Sequence, residues 1–376
     1  MIIGFDARLI SALGIGRYIN GLLPPLSDIL QGRLLVVSRR GDLALVRALT
    51  EGRATLITSD APPYRLAEQS TFLLTLLRAR LDLVHFPHYN LPVAYPRRFV
   101  VTIHDLFSFR FPEIHSGAVP RLTNQALIAN AVRRADAIIA PSRATAEDIS
   151  GRFPSAAKRV SAIGEAADGR FSNVRNPTAE AAWLRYFGIT PPYFLSLGQW
   201  KSYKNLPLLI EAFSRFTTRR PGVQLVIAGH DPRHPEVPAA TSALPPGSVV
   251  MPGHLPEDAI PDLYRAAAAV IIPSLAEGFG LPVLEAMACG VVVVCSGIPA
   301  LKEIADGIAI FCDPSSPESF AAGMMAALEL PPGDTRVQDG LTRARSFSWR
   351  KAAEATVSTY ERVLAARPNR RSDIER

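Results

Sequence analysis

The sequence predicts an α/β protein of two domains, each built on a doubly wound parallel sheet, and three observations carry that prediction. A chain of 376 residues exceeds one ordinary core and suits two domains of roughly 180 residues each. Apolar runs of four to six residues alternate with helix-length segments, the pattern of parallel strands covered on both faces. The rhythm lapses in the turn-rich stretch "ADGRFSNVRNP" and then restarts, which puts the boundary near Asp168 to Pro177.

Taken in order, "MIIGF" opens the first sheet and a helix-like stretch follows from Gly16 to Leu30. "RLLVVS", "DLVHF", "RFVVTIH", "ADAIIAPS" and "KRVSAIG" supply further strands. The second half begins with "YFLSLG", continues through the helical "NLPLLIEAFSRF", and adds "VQLVIAG", "AAVIIPS", "VVVVCS" and "IAIFCDP". A last helix, about Trp349 to Ala366, follows the second sheet and is placed to cross back to the first lobe. The expected divisions are 1–170, 171–348 and 349–376, with disorder confined to the tail "RPNRRSDIER".

Charge and composition narrow the function. Residues 1–190 hold 23 Lys plus Arg against 15 Asp plus Glu, whereas residues 191–376 hold 18 against 19. The basic excess therefore lies in the first half, which suits an anionic surface or a phosphorylated ligand; a solvated, arginine-biased surface is the alternative. Neither a zinc-finger spacing nor an aromatic-rich RNA-binding motif is present, so no nucleic-acid partner is expected. The N-terminus has no basic leader and no apolar run reaches the roughly 18 residues of a membrane span, so a cytoplasmic location is expected. Cys289, Cys295 and Cys312 lie in apolar surroundings without C-x-x-C spacing and read as reduced core residues.

Ligands of such sheets bind beyond the carboxyl ends of the strands, so the strand-to-helix loops decide the chemistry. In "EGFGLPVLEAMACG", residues 277–290, Gly278 and Gly280 let the backbone approach a ligand and Pro282 suits a first helical turn. The N–H groups of Phe279, Gly280 and Leu281 point out of the helix end, which suits phosphate or hydroxyl oxygens. Glu277 in the turn and Glu285 one helical turn later suit vicinal diols, because a carboxylate accepts from two hydroxyls. The competing reading has Glu277 favouring the helix dipole and Glu285 at the surface.

In "SLGQWKSYKNLPLL" a cation, Lys204, stands where the loop meets a helix N-terminus, a position that makes sense when an anion lies between them. Lys201 is a second cation or a solvated side chain. "SALGIGRYINGLL" places Gly14 and Gly16 before a helix but lacks the final glycine of the dinucleotide fingerprint, where Ile19 stands. "VVTIHDLFSF" sets His104 and Asp105 just past a buried strand, either to bind a ligand or to close the strand. "HFPHYNLP" adds His85, His88 and Tyr89 without metal-ligand spacing.

Together these loops resemble glycosyltransferase family 4, the retaining enzymes of the GT-B fold. The Glu-x7-Glu signature appears as E277-GFGLPVL-E285, flanked by "ADAIIAPSRATAEDI", "LGQWKSYKNLPLLIEAF", "LVIAGHDP", "GHLPEDAIPDLYRAAAAVIIPSLAEGFGLPVLEAMACG" and "IFCDPSSPESFAAG" in the family's order. "GIGRYINGLL", "HFPHYNLP" and "VVTIHDLFSFRFPEIH" look most like the bacterial GDP-mannose-dependent α-mannosyltransferases that work on polysaccharides and lipid-linked glycans. The resemblance implies two Rossmann-like domains facing a cleft, the first on the acceptor side and the second binding the nucleotide sugar.

By the same resemblance Lys204, Glu277 and His104 are the catalytic positions and no metal or other cofactor is required. Glu285 would take the ribose, the backbone around Leu255 the base, and Lys204 the diphosphate. Glu277 with Gly278, Phe279, Gly280 and Leu281 would orient the donor sugar, alongside Gly198 and Gln199. Gly14 and Gly16 would approach the phosphates, with Arg17, Tyr18, Tyr89 and Asp105 toward the acceptor. Gln199 and Tyr203 depart from the family, many of whose members carry arginine there.

An acceptor on polyprenyl diphosphate would bring the basic lobe to an anionic inner leaflet through Arg110, Arg121, Arg133 and Arg134, at about 1 kcal/mol each. A UDP-hexose donor, or a catalytically silent glycan- or partner-binding domain, are the competing readings.

Overall fold

The protein is described by a computed structural model covering residues 1–114, 117–331 and 333–366; the tail expected to be disordered lies outside the described residues. The chain forms two units: Met1–Glu165 together with the segment from Ser348, and Ala166–Phe347.

The first unit contains a parallel sheet of seven strands, β1 (Ile3–Asp6), β2 (Leu34–Ser38), β3 (Thr55–Thr58), β4 (Leu83–Phe86), β5 (Phe99–Thr102), β6 (Ala137–Ala140) and β7 (Val160–Ala162). Their spatial order is β3-β2-β1-β4-β5-β6-β7. The second unit contains six, β8 (Tyr193–Leu197), β9 (Gln224–Ala228), β10 (Val249–Gly253), β11 (Ala269–Ile272), β12 (Val293–Ser296) and β13 (Ile310–Cys312). Their order is β10-β9-β8-β11-β12-β13. Both sheets are the doubly wound α/β type expected from the sequence.

The strands β1, β2, β4, β5 and β6 are buried at every residue, as strands covered on both faces must be. Two strands were not foreseen, β3 and β10, and both are edge strands. The ends of β3 are exposed and its middle half-buried, while β10 is half-buried throughout and contains Pro252. An edge strand needs neither a continuous apolar run nor every backbone N–H, so these two lack the signal that marked the others.

Helix α1 (Ile15–Leu30) buries Tyr18, Ile19, Leu22, Leu23, Leu26 and Leu30. It packs against the C-terminal helix Trp349–Ala365, whose Ala353, Val357 and Tyr360 share the same core. A Cβ at Gly21 would lie 2.1 Å from the Trp349 ring, so the glycine permits the close approach of the two helices.

In the second unit, helix α2 (Leu206–Arg219) buries Leu209, Ile210, Phe213 and Phe216 and carries Pro207 in its first turn. Helix α3 (Leu281–Ala288) likewise has proline, Pro282, in its first turn. All three cysteines are buried free thiols; burial pushes Cys289 up to about 12 and Cys312 to about 11, which keeps them as packing groups rather than nucleophiles.

The order of each sheet reverses once, between β1 and β4 in the first unit and between β8 and β11 in the second. Loops leaving the carboxyl ends of these neighbouring strands diverge and open a crevice, the ordinary ligand position of an open α/β sheet.

Candidate active site

In the second unit β8 and β11 pair directly, Phe194 with Ala269 and Leu195 with Val270, so the loops that follow them lie side by side. Asn205, left-handed at φ 57, sits where α2 begins, a conformation asparagine tolerates better than most residues. Its amide donates to the carbonyls of Pro273 at 3.2 Å and Pro314 at 2.9 Å. The Leu275 N–H donates to Tyr203 O at 2.7 Å.

These bonds knit the two loops and bring Lys204 Nζ within 2.8 Å of Glu277 Oε1. Ser274 Oγ donates to the same oxygen at 2.6 Å. Lys204 also lines a pocket with Ser196, Gly198, Gln199, Ser274 and Pro282. The arrangement is a charge-neutral pair at the edge of a small, mostly apolar pocket, and an incoming anion could draw the ammonium away from the carboxylate.

The other residues expected on the donor side divide by burial. Glu285 is 2% exposed and its Oε2 accepts from Tyr264 OH at 3.2 Å; Tyr264, which no sequence motif singles out, orients it. The Phe279 side chain is buried edge-on to Phe347 with ring centres 5.8 Å apart, so only its backbone can face a ligand. Gly280 has φ 111, and a Cβ there would lie 2.5 Å from Leu301. Gln199 is exposed, whereas Gly278, Leu281 and Leu255 are half-buried. Leu255 follows β10 and packs on the core of the unit. Lys201 is not simply solvated, because its Nζ stands 3.2 Å from Asp231 Oδ2. Hydrogen bonds from Arg233, joined by Lys201, hold the Asp231 carboxyl well below its usual range.

In the first unit His104 follows β5, with Nε2 2.9 Å from Pro87 O and Nδ1 3.3 Å from Glu165 Oε1. Beneath it runs a buried chain of polar groups. Tyr360 OH lies 2.6 Å from His85 Nδ1, His85 Nε2 lies 2.8 Å from Thr102 Oγ1, and Thr102 Oγ1 lies 3.0 Å from Tyr18 OH.

That chain corrects the expectation for Tyr18. The side chain is 3% exposed with its hydroxyl committed to Thr102, so it braces the core and does not reach toward an acceptor. Burial, with the charge of His104 as a second cause, pushes His85 and His88 down to about 3.

Gly16 also has an internal reason for lacking a side chain, since a Cβ would lie 2.4 Å from Ile10 O. Gly14 is exposed with φ 72 at the start of α1, and Arg17 is half-buried one turn on. Tyr89 is half-buried with its ring 3.9 Å from that of His88. Asp105 Oδ1 accepts from the Phe107 N–H at 2.9 Å.

At the end of β1, Arg8 is 2% exposed, bonds Asp6 at 2.9 and 2.8 Å and Glu68 at 2.8 Å, and lies 3.4 Å over the Phe72 ring. Asn90 also donates to Glu68, at 2.9 Å. No spacing in the sequence joins residues 8, 68 and 90.

Residues 187–340 match the family model described as glycosyl transferases group 1, and residues 14–168 match the model described as glycosyltransferase family 4. Both halves of the chain thus match glycosyltransferase models, and the chain is a glycosyltransferase.

Among relatives, this glycosyltransferase is 28% identical to the O-antigen chain mannosyltransferase B of Escherichia coli over 282 residues, covering 74% of this chain and 73% of that protein. It is 26% identical to a serotype-specific mannosyltransferase of Escherichia coli over 61% of this chain, a match that spans 29% of that longer protein. Among solved structures it is similar to Anabaena HepE in complex with UDP-glucose, with a TM-score of 0.75, 18% identity, and coverage of 96% of this chain and 100% of that one. That likeness fixes the fold as GT-B.

Among the described residues of the transferase no group of three or more His, Cys, Asp or Glu is placed to hold a metal ion, and no helix is long and apolar enough to cross a membrane. Arg110 and Arg133 are exposed and Arg121 is half-buried. Arg134 is exposed too, but its guanidinium donates to the carbonyls of Val93 and Tyr95.

Proposed function

We propose that this glycosyltransferase moves an α-mannosyl group from GDP-mannose, with retention, onto a glycan or a polyprenyl-diphosphate-linked oligosaccharide during polysaccharide synthesis. The observation that carries the reading is the Lys204–Glu277 pair of 2.8 Å beside a pocket at the β8–β11 reversal. A nucleotide sugar offers an anion for the lysine and hydroxyls for the carboxylate, so the ligand can replace the internal pair with two external ones. The names of the two mannosyltransferase relatives support mannose as the sugar.

In the proposed reaction the bond between the sugar anomeric carbon and the donor phosphate oxygen breaks while an acceptor hydroxyl oxygen bonds to the same face of that carbon. The acceptor proton passes to the departing phosphate. Lys204 and the backbone N–H groups at the start of α3 stabilise the charge that builds on the leaving diphosphate, the largest contribution available to a site of this kind. Glu277 holds the sugar hydroxyls and Glu285, oriented by Tyr264, the ribose. Gln199 and Tyr203 leave Lys204 with more of the phosphate charge than in members that carry arginine there.

Thermal stability with GDP, UDP, ADP and NAD in turn tests the donor, since a ligand at 100 times its dissociation constant adds about 2.7 kcal/mol. A shift with GDP alone supports the proposal and directs transfer assays to GDP-mannose. A shift with UDP alone favours the second reading, a UDP-hexose donor, which the UDP-glucose complex of Anabaena HepE supports. No shift with any nucleotide favours a silent glycan-binding domain.

A peripheral contact with anionic lipid through Arg110, Arg121 and Arg133 completes the proposal. Failure to sediment with anionic vesicles at low salt would remove it.

A further inference from the structure

We propose that His104 acts as a standing imidazolium cation, and that Glu165 is the positioning residue that keeps its ring protonated and aimed. The inference rests on the reading that His104 serves glycosyl transfer, and it adds both the state of the ring and a residue that no motif marks.

A neutral imidazole has one N–H and one lone pair, and an imidazolium has two N–H groups. His104 Nε2 stands 2.9 Å from Pro87 O, and a backbone carbonyl only accepts, so Nε2 carries hydrogen. Nδ1 stands 3.3 Å from Glu165 Oε1. An ionised carboxylate also only accepts, so a bare Nδ1 would set two lone pairs against each other. The pair therefore shares one proton at this contact. Imidazole has the higher intrinsic affinity, about 6.5 against about 4.3 for a glutamate, so the proton sits on the ring.

The surroundings agree. The groups facing His104 are Glu165 after β7, Asp105 beside it in the chain, His85 on β4, His88 just beyond β4, and Tyr18 on α1. The two carboxylates favour a positive ring. His85 and His88 are held neutral, and the Tyr18 phenol packs edge-on to the ring at 4.9 Å. Burial pulls the His104 proton affinity down, but the hydrogen bond and charge of Glu165 and the Pro87 carbonyl override it and raise the pKa.

With both ring nitrogens engaged, His104 has no N–H to spare for a sugar hydroxyl. It contributes charge, of the sign that stabilises a departing phosphate.

The test is heteronuclear NMR of the full-length protein with labelled histidine, the His104 resonance being assigned by its loss in His104→Gln. At neutral pH the wild-type ring should carry a proton on both nitrogens. Glu165→Gln should lower its pKa by about one to three units, the usual effect of an opposite charge at this range, and Glu165→Asp should restore part of the shift. A singly protonated wild-type ring at neutral pH overturns the proposal, even if Glu165→Gln fails to fold. An unchanged titration in Glu165→Gln overturns the role of Glu165.

The transfer rate gives the second readout. Its fall at high pH should move with the His104 pKa in Glu165→Gln, and a fall that stays in place would show that the ring charge has no part in transfer. Because the NMR titration involves no turnover, it stands or falls separately from the choice of GDP-mannose as donor.

Discussion

The two units handle charge at their sheet reversals in opposite ways. In the second unit Lys204 and Glu277 form an ion pair whose lysine side chain keeps 20% of its surface exposed, next to a second pair, Lys201 and Asp231. In the first unit the polar groups are sealed in: His85 is fully buried, His88 is 8% exposed, and Arg8 is locked between Asp6 and Glu68. A partly open ion pair can exchange its internal partner for a ligand at little desolvation cost, whereas a buried network is costly to disturb. The second unit is thus suited to exchanging its ion pair for an anionic ligand, and the first to holding a fixed geometry around His104.

Acid should separate the two units most strongly. His85 and His88 have folded values of about 3, below the ordinary 6.5, so the unfolded chain binds more protons across the interval between. Their stabilisation is complete above about pH 6.5 and is lost as pH falls toward 3, at about 1.4 kcal/mol per pKa unit for each residue. His104 has the opposite sign: its raised value gives stability that is full below the ordinary histidine range and is lost as pH rises through the raised value.

With Trp183 and Trp200 changed to phenylalanine, Trp349 fluorescence would follow the first unit in denaturant. Its midpoint should fall between about pH 6.5 and 4.5, where carboxylates of the second unit are still ionised. Equal losses in both units over that interval would undo the contrast.

Lys204→Ala should lower turnover about 10²-fold or more, the scale for removing a preorganised charge stabiliser, with little change in melting temperature. Glu277→Gln keeps the shape of the side chain and loses its charge, so turnover should fall tenfold to hundredfold, from charge-assisted hydrogen bonds of about 1.5–3 kcal/mol. Because the two side chains bond each other directly, the double variant should lose less than the product of the single losses; a full product would mean that they act independently. The smallest effect belongs to Lys201→Ala, which should lower turnover less than Lys204→Ala, because Lys204 lines the pocket and Lys201 does not. Steady-state kinetics with saturating donor measures all four variants.

The central strands and the family signature were legible because both are local. A doubly covered strand announces itself as an unbroken apolar run, and Glu277 and Glu285 sit eight residues apart on one turn and helix. What was not legible lies across the sheets. Lys204 and Glu277 meet only because β8 and β11 are neighbours, although 73 residues separate them. Tyr264 beside Glu285, Asp231 beside Lys201, and the Arg8, Glu68 and Asn90 cluster likewise join residues distant in the chain, whereas Ser274 is local to Glu277. Tyr18, placed toward the acceptor by the family resemblance, lies on the face of α1 that turns inward to Thr102, which its position in the sequence does not show. The edge strands β3 and β10 escaped because half-burial leaves no regular pattern.

The return of the Trp349–Ala365 helix to α1 bears on how the protein is made. The second unit, residues 166–347, is continuous, so a ribosome delivers all of it before any residue of that helix emerges. The first unit begins to appear earlier yet lacks Tyr360, the hydrogen-bond partner of His85, and the Trp349 ring that covers Gly21. Domains generally fold as units during synthesis, and here the unit that starts first is the one that must finish last. Until then the part of α1 that this helix packs against has no cover, and the nascent chain is most exposed to aggregation or chaperone capture while the second unit is already able to fold.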